Sequence, residues 1–268
     1  MSGDGHQQTI HLVQLTDCHL YADEQTELLG LDTHASLQAV IDQVLQQIPK
    51  IDLVLATGDI AQDASESAYQ HFMQAAKRLP APCHWIPGNH DDALRMSELG
   101  AADELTQPWH DLGPWRIVML DSSVAGSVAG RLAPAQFELL EQALASAGDR
   151  FILLTLHHHP VDIGCDWMRP IGLHNADQLF QRIEHDPRVK VVLWGHIHQD
   201  YDEQRGHLRL LATPSTCIQF APNSHDFSTD TQAPGYRWLR LHADGSLETG
   251  VERVAQGRFV ADPEASGY

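Results

Sequence analysis

Short apolar runs alternate with helical stripes along most of the chain. Residues 10–15, 51–56, 83–87, 151–156 and 189–194 are compact, rich in β-branched and aromatic side chains and nearly free of charge. Such runs predict strands buried on both faces, as in parallel sheets. Trp115 to Leu120 is a further strand-like run. Between them, 35–47 sets Leu37, Val40, Ile41, Val44 and Leu45 at helical spacing, and Pro49 stops the helix. Residues 65–79, 93–99 and 175–185 also read as helices, the last with Leu179 and Ile183 at i, i+4. Residues 134–147 open on Pro134 and close at Gly148, a strong helix signature. After His198 the pattern changes. Residues 207–212, 236–242 and 247–254 read as strands joined by turns such as Ala243-Asp244-Gly245, an antiparallel finish. The expectation is a single α/β domain over 1–256, with a loose Gly-, Pro- and acid-bearing tail at 257–268.

Composition narrows the partners. The 268 residues carry 17 basic and 36 acidic side chains, a net charge of −19. That surface repels polyanions, which argues against nucleic acid and anionic membranes as partners. An anionic substrate then needs local positive charge, which bound metal ions can supply. No apolar run approaches the roughly 20 residues of a membrane-spanning helix. Residues 1–8 lack the pattern of a signal peptide. The four cysteines have no CxxC spacing and read as reduced thiols of a cytoplasmic protein. Oligomeric state leaves no mark in the sequence.

The chemistry sits just past the strand-like runs, where parallel strands of α/β proteins build their sites. Five segments follow them: Asp17-Cys18-His19, Gly58-Asp59, Gly88-Asn89-His90-Asp91, His157-His158-His159-Pro160 and Gly195-His196-Ile197-His198. Taken singly, each has a plain structural explanation, such as Asn89 or Asp91 capping the 93–99 helix. Taken together, they offer carboxylate, imidazole and amide oxygen without thiolate, a donor set for Mn, Fe or Zn. On an extended backbone, Asp17 and His19 share a side, as do His196 and His198, while Cys18 turns away and packs. Neighbours in the histidine triplet alternate sides, so one of the three is expected to bind metal.

The order D-x-H, G-D, G-N-H-D, H and G-H-x-H resembles the calcineurin-like metallophosphoesterase superfamily over Leu12 to His198. Asp59-Ile60-Ala61-Gln62-Asp63, the 157–160 and 195–199 segments, Leu211 to Cys217, Gln219-Phe220 and Ala233-Pro234-Gly235 are further similar to bacterial class III 3′,5′-cyclic AMP phosphodiesterases. The resemblance implies a two-sheet sandwich of mixed sheets flanked by helices. It also implies two metal ions, iron or manganese with zinc as the alternative. Asp17, His19, Asp59 and His198 would hold one ion. Asp59, Asn89, His158 and His196 would hold the other, with Asp59 bridging. His158 is preferred because it stands two positions before Pro160, and His157 is the alternative. His19, Asp59, Asn89, His90 and His198 would face the substrate, a small cyclic nucleotide. Water acidified between the ions would attack phosphorus in line, and His90, the catalytic residue, would assist the leaving group. The same site would serve other small phosphodiesters, or survive in a non-catalytic metal-binding module. Asp63 would orient a ligand or start a helix. The 160–176 segment would cover the substrate. Arg169, His174, Asn175 and Thr213 to Gln219 are the nearby polar groups for reading base or ribose, though turn capping explains them equally well.

Overall fold

The computed structural model describes residues 9–262. Its strands are β1 Ile10–Leu15, β2 Glu27–Leu28, β3 Leu31–Asp32, β4 Leu53–Thr57, β5 Cys83–Ile86, β6 Trp109–Leu112, β7 Trp115–Met119 and β8 Phe151–Thr155. They continue as β9 Val189–Trp194, β10 Tyr201–Arg205, β11 Leu208–Ala212, β12 Gln219–Phe220, β13 Thr229–Asp230, β14 Gly235–Leu241 and β15 Leu247–Arg253. The helices are α1 Thr33–Gln47, α2 Glu66–Ala76, α3 Ala93–Gly100, α4 Pro134–Ser146 and α5 Ala176–Ile183.

Two mixed sheets carry the fold. One has the order β15-β14-β1-β4-β5, the other β10-β11-β9-β8-β7-β6. β1, β4 and β5 run parallel, as do β11, β9, β8 and β7. β14 joins β1, β15 joins β14, β10 joins β11 and β6 joins β7, all antiparallel. Strand alternation explains the layering. Leu12, Leu53 and Leu55 join Ile117, Leu153, Val191 and Leu193 in a core between the sheets. The intervening Val13, Leu15, Val54 and Ala56 pack outward with Leu37, Val40 and Phe72 of α1 and α2. Ile152, Leu154, Val192 and Trp194 pack outward with Leu140 and Leu179 of α4 and α5. Central strands buried on both faces are why their sequences lack polar alternation.

The expected helices and principal strands are present, with bounds shifted by a few residues. β6 and β10 were not foreseen. β10 reads Tyr-Asp-Glu-Gln-Arg and lies mostly exposed at a sheet edge, where charge guards against further pairing. The expected N-cap of α3 also moves. Asp92, not Asn89 or Asp91, accepts the Arg95 N–H at 3.1 Å. The stretch expected to be loose is docked as far as it is described. Ala261 is buried in the α4/α5-side core and the Asp262 N–H donates to the Leu29 carbonyl at 2.7 Å. Apolar Phe259 and Ala261, set among small and charged residues, supply that anchor. Residues 1–8 and 263–268 lie outside the described residues, so the signal-peptide reading and the end of the tail are untouched.

Candidate metal centre

All five motif segments leave the carboxyl ends of β1, β4, β5, β8 and β9 and meet at one rim of the sandwich. A buried glutamine ties the sheets beneath them. Gln14 faces the inter-sheet side, and its amide donates to Thr57 Oγ1 at 2.7 Å and to the Trp194 carbonyl at 3.1 Å. Thr213 Oγ1 donates to its oxygen. The loop that follows braces the first motif. Ser215 Oγ donates to the Asp17 carbonyl at 2.7 Å, and the Thr216 N–H to the Thr16 carbonyl at 3.1 Å.

The backbone there is not extended. Asp17, His19, Asp59, His196 and His198 all have φ between 48° and 67°, five of the nine non-glycine residues with positive φ among those described. The i, i+2 pairs therefore converge through left-handed turns rather than through strand pleating. Each such residue costs roughly 1–2 kcal/mol, and strain of this kind gathers at functional sites. Gly58, at φ +99°, permits a further tight step, and a side chain there would collide with the His157 ring.

The ring nitrogens report how each imidazole is held. His198 Nδ1 lies 2.9 Å from the Ile218 carbonyl, which can only accept, so Nδ1 carries the proton and Nε2 presents a lone pair. His19 Nδ1 is tied to Gln62 Oε1 at 2.5 Å, so its Nε2 also points inward. His157 Nδ1 donates to the Thr57 carbonyl at 2.7 Å, leaving Nε2 3.3 Å from both Asp59 Oδ2 and Asn89 Oδ1. His196 is reversed: Nε2 donates to the Ile171 carbonyl at 3.1 Å and Nδ1 is left for the cluster. This outer anchoring is the arrangement metal-ligating histidines use to fix tautomer and aim.

Two groups form around a shared carboxylate. Asp17, His19 and His198 bring ligand atoms within 4.8 Å of one another, as do Asp17, Asp59 and His157, and His157, His158 and His196. Asp59 Oδ2 is 3.8 Å from His19 Nε2 and 3.3 Å from His157 Nε2, so it faces both. Its Oδ1 accepts the His90 N–H at 2.9 Å. Within the triplet, His157 approaches Asp59 and Asn89. Both ring nitrogens of His158 meet other partners, Ser122 Oγ at 2.8 Å and the Val128 carbonyl at 3.1 Å. His159 stacks on His196 with centroids 5.5 Å apart.

The donor arrangement fits metal ions. His19 Nε2 and His198 Nε2 are 3.1 Å apart. Both Nδ1 atoms are committed to oxygen acceptors, so both Nε2 atoms turn toward the buried cluster. Burial pushes the His19 pKa down to about 3, so that ring stays neutral at neutral pH. Burial likewise drives His158 and His196 well below the usual imidazole value. Burial opposes the charge on His157 too, but Asp59 beside it wins and raises its pKa. Burial works against ionised Asp59, yet His157 holds its pKa well below the carboxylate range. These groups together could hold a cation. No thiol competes: Cys18 packs in the α1/α2-side core and burial raises its pKa well above normal.

Neighbouring acids order the loops. Asp91 accepts the N–H groups of Gly88 at 2.8 Å, Ile60 at 3.2 Å and Ala61 at 3.0 Å, locking the Asp59 and Asn89 loops together. Burial raises its pKa to about 6. Asp63 accepts from Ala22 and Ser65 backbone N–H groups, a turn role at the start of α2. Gln62, one residue earlier, holds the ligand-type histidine. His90 is half-buried, its ring 5.0 Å edge-on from His19.

Arg169, His174, Asn175 and Gln219, considered as base readers, are engaged with protein partners. Arg169 pairs with Asp162 and Asp166 at 3.0 Å each. His174 donates to the Pro170 carbonyl, and Asn175 exchanges two hydrogen bonds with the Leu132 backbone. Gln219 donates to the Ser215 and Cys217 carbonyls. The 160–176 segment does border the site, through the Ile171 carbonyl on His196 and through Trp167 and Met168.

A mixed α/β sandwich with a buried oxygen-and-imidazole cluster on the strand ends defines a metal-dependent hydrolase scaffold. The chain belongs to the calcineurin-like phosphoesterase family, whose model matches residues 10–200. It is 51% identical over 260 residues to the 3′,5′-cyclic adenosine monophosphate phosphodiesterase CpdA of Pseudomonas aeruginosa, covering 97% of this chain and 96% of that one. Identity to the CpdA of Escherichia coli K12 is 44% over 266 residues, 97% of this chain and 95% of that one. Among solved structures, a dimetal phosphatase from Danio rerio superposes with TM-score 0.62 at 16% identity, covering 92% of this chain and 99% of that chain. That likeness concerns the fold alone. Among the described residues, no helix is long and apolar enough to cross a membrane.

Proposed function

We propose that the chain hydrolyses 3′,5′-cyclic AMP to 5′-AMP. The observation that carries the phosphodiesterase reading is a buried carboxylate, Asp59, set between the inward-facing nitrogens of His19 and His157. The near full-length similarity to enzymes named for that substrate supports the choice of ester. Asp17, His19, Asp59 and His198 would hold one ion, and Asp59, Asn89, His157 and His196 the other. His157 takes the place first given to His158, because its free nitrogen faces Asp59 and Asn89. When bound, two such ions acidify water and offset the charge on phosphoryl oxygens. The oxygen-and-nitrogen donor set favours iron or manganese, with zinc the alternative.

The chain's own residues do the rest. Asn89, with a half-buried amide, and His90 stand on the accessible side of the cluster and meet the substrate. His90 donates a proton toward the leaving O3′, a poor leaving group unless protonated. Asp91 keeps the Asn89 loop in place. We further assign residues 1–256 to one phosphoesterase domain. Four free buried cysteines support work in a reducing cytoplasm.

The test is hydrolysis of 3′,5′-cyclic AMP by metal-reconstituted protein, with bis(p-nitrophenyl) phosphate in parallel. Efficient 5′-AMP formation that chelation abolishes is expected. Turnover of the aryl diester with little on cyclic AMP would leave the two-metal chemistry and remove the substrate. A His90→Ala variant should keep its metals and lose roughly 10²–10⁴-fold in turnover, and unchanged turnover removes His90 from the reaction.

A further inference from the structure

A second group of ligand-type side chains shares no residue with the strand-end cluster. Glu24, His34 and His71 each bring one ligand atom within 4.8 Å of the others. Glu24 comes from the loop between β1 and β2, His34 from the first turn of α1 and His71 from the middle of α2. Glu24 Oε1 is 3.4 Å from His71 Nε2 and 4.0 Å from His34 Nε2. The two rings stand edge to face, centroids 5.7 Å apart and planes at 90°. An ion held tetrahedrally at about 2.0–2.2 Å spaces its donors about 3.3–3.6 Å apart. The observed spacing is therefore close to a coordination shell, and exposed Glu24 has room to complete it.

The loop is braced to present that carboxylate. Asp23 Oδ1 accepts the Gln25 N–H and the Asp23 carbonyl the Thr26 N–H, both at 3.0 Å. The Ala22 N–H donates to Asp63 at 3.1 Å. The rings are aimed as well. His71 Nδ1 donates to the Tyr21 carbonyl at 3.3 Å, which leaves Nε2 unprotonated toward Glu24. Outer anchoring of this kind is how ligating histidines are held. Arg78 donates to Gln38 Oε1, so the Gln38 amide nitrogen is the end that meets His34 Nε2, at 3.5 Å. That contact is long, and His34 Nδ1 is buried with no hydrogen-bond partner among the described residues. The protein thus positions the His34 ring without closing it.

We propose that Glu24, His34 and His71 form a third metal site, selective for zinc. Two imidazoles and one carboxylate are a zinc donor set with a position left for water. The same donors hold manganese far more weakly. The net charge of −19 draws cations to such a half-open site. A bound ion would pin the 20–26 loop to α1 and α2. The proposal is independent of the phosphodiesterase reading.

The test is zinc titration of the manganese-loaded full-length protein, followed by calorimetry and by elemental analysis of both metals. Manganese alone should leave this site empty, and zinc should then raise the total by one ion per chain. His34→Ala, His71→Ala and Glu24→Gln should each weaken that added zinc at least about tenfold, the lower bound for losing even an outer partner of a ligand. Glu24 is exposed, so its variant folds even where a histidine variant does not. An unchanged total, with zinc merely replacing manganese, overturns the site. So does an added zinc that none of the variants weakens, which is adventitious binding. If manganese fails to bind at all, a single zinc that all three variants weaken still supports the site, while the two-ion reading of the strand-end cluster falls.

Discussion

Two sets of buried polar groups, equally hidden from water, follow opposite rules. Arg116 is enclosed and saturated: Nε and Nη2 donate to Asp111 at 2.6 and 2.8 Å, and Nη1 to the Ala143 carbonyl at 2.7 Å and Ser146 Oγ at 2.6 Å. Arg237, on β14, reaches across to the other sheet and donates to the Ala212 and Tyr201 carbonyls and to Asp200. The candidate ligand cluster instead packs imidazole against imidazole, with His19 and His198 nitrogens 3.1 Å apart on left-handed backbone. A buried charge that serves the fold is closed by protein atoms. The cluster proposed to hold metal is built on strained backbone and buried imidazoles, at a cost in strain and desolvation borne by the rest of the sandwich.

The contrast breaks first at Asp59. Asp59→Ala should remove both ions and nearly all turnover, more than the 10–100-fold that outer partners of metal ligands typically command. Elemental analysis after metal loading checks it, and retention of two ions per chain would sink the bridging role. Next in size is the triplet. His157→Ala should lose one ion and most activity. His158→Ala should keep two, since its nitrogens are taken by Ser122 and Val128. The opposite pattern returns the ligand role to His158.

Much of this was legible beforehand because the central strands are buried on both faces and the candidate ligands stand directly after them. Periodicity located β1 and β9 to the residue, and donor chemistry picked out the cluster. What the sequence hid were features that depend on orientation. The proposal of His157 in place of His158 leans on the Thr57 carbonyl, a hundred positions away in the chain. The left-handed turns at Asp17 and His198 replace a pleat that spacing alone suggests. Gln14 and Thr213 read as ordinary polar residues until they meet between the sheets. The outer group was missed because Glu24, His34 and His71 come from separate segments with no common period.

A smaller effect is expected at Gln62, which joins the two rules: a protein partner used to aim a candidate ligand. Gln62→Leu should weaken metal binding by about 10–100-fold while the protein still folds, since only the His19 anchor is removed. Metal titration with a competing chelator measures it. Unchanged affinity would mean that backbone geometry alone aims His19.

The smallest effect belongs to the closed set and should leave metal binding untouched. Hydrogen bonds from Arg116 hold the Asp111 carboxyl below its usual range. Its depressed folded value means stability present above the unfolded carboxylate pKa and lost as pH falls through the folded one. Asp111 is about a third exposed, with side-chain relative accessibility 34%, so solvent screening trims the contribution. Asp111→Asn should therefore destabilise the metal-free protein by about 1 kcal/mol at pH 7. The gap should narrow once pH drops below about 4. Urea unfolding of both proteins between pH 7 and pH 3 decides it. A gap that stays constant with pH would show that shape, not charge, closes the Arg116 site, and the contrast with the candidate ligand cluster would then rest on Arg237 alone.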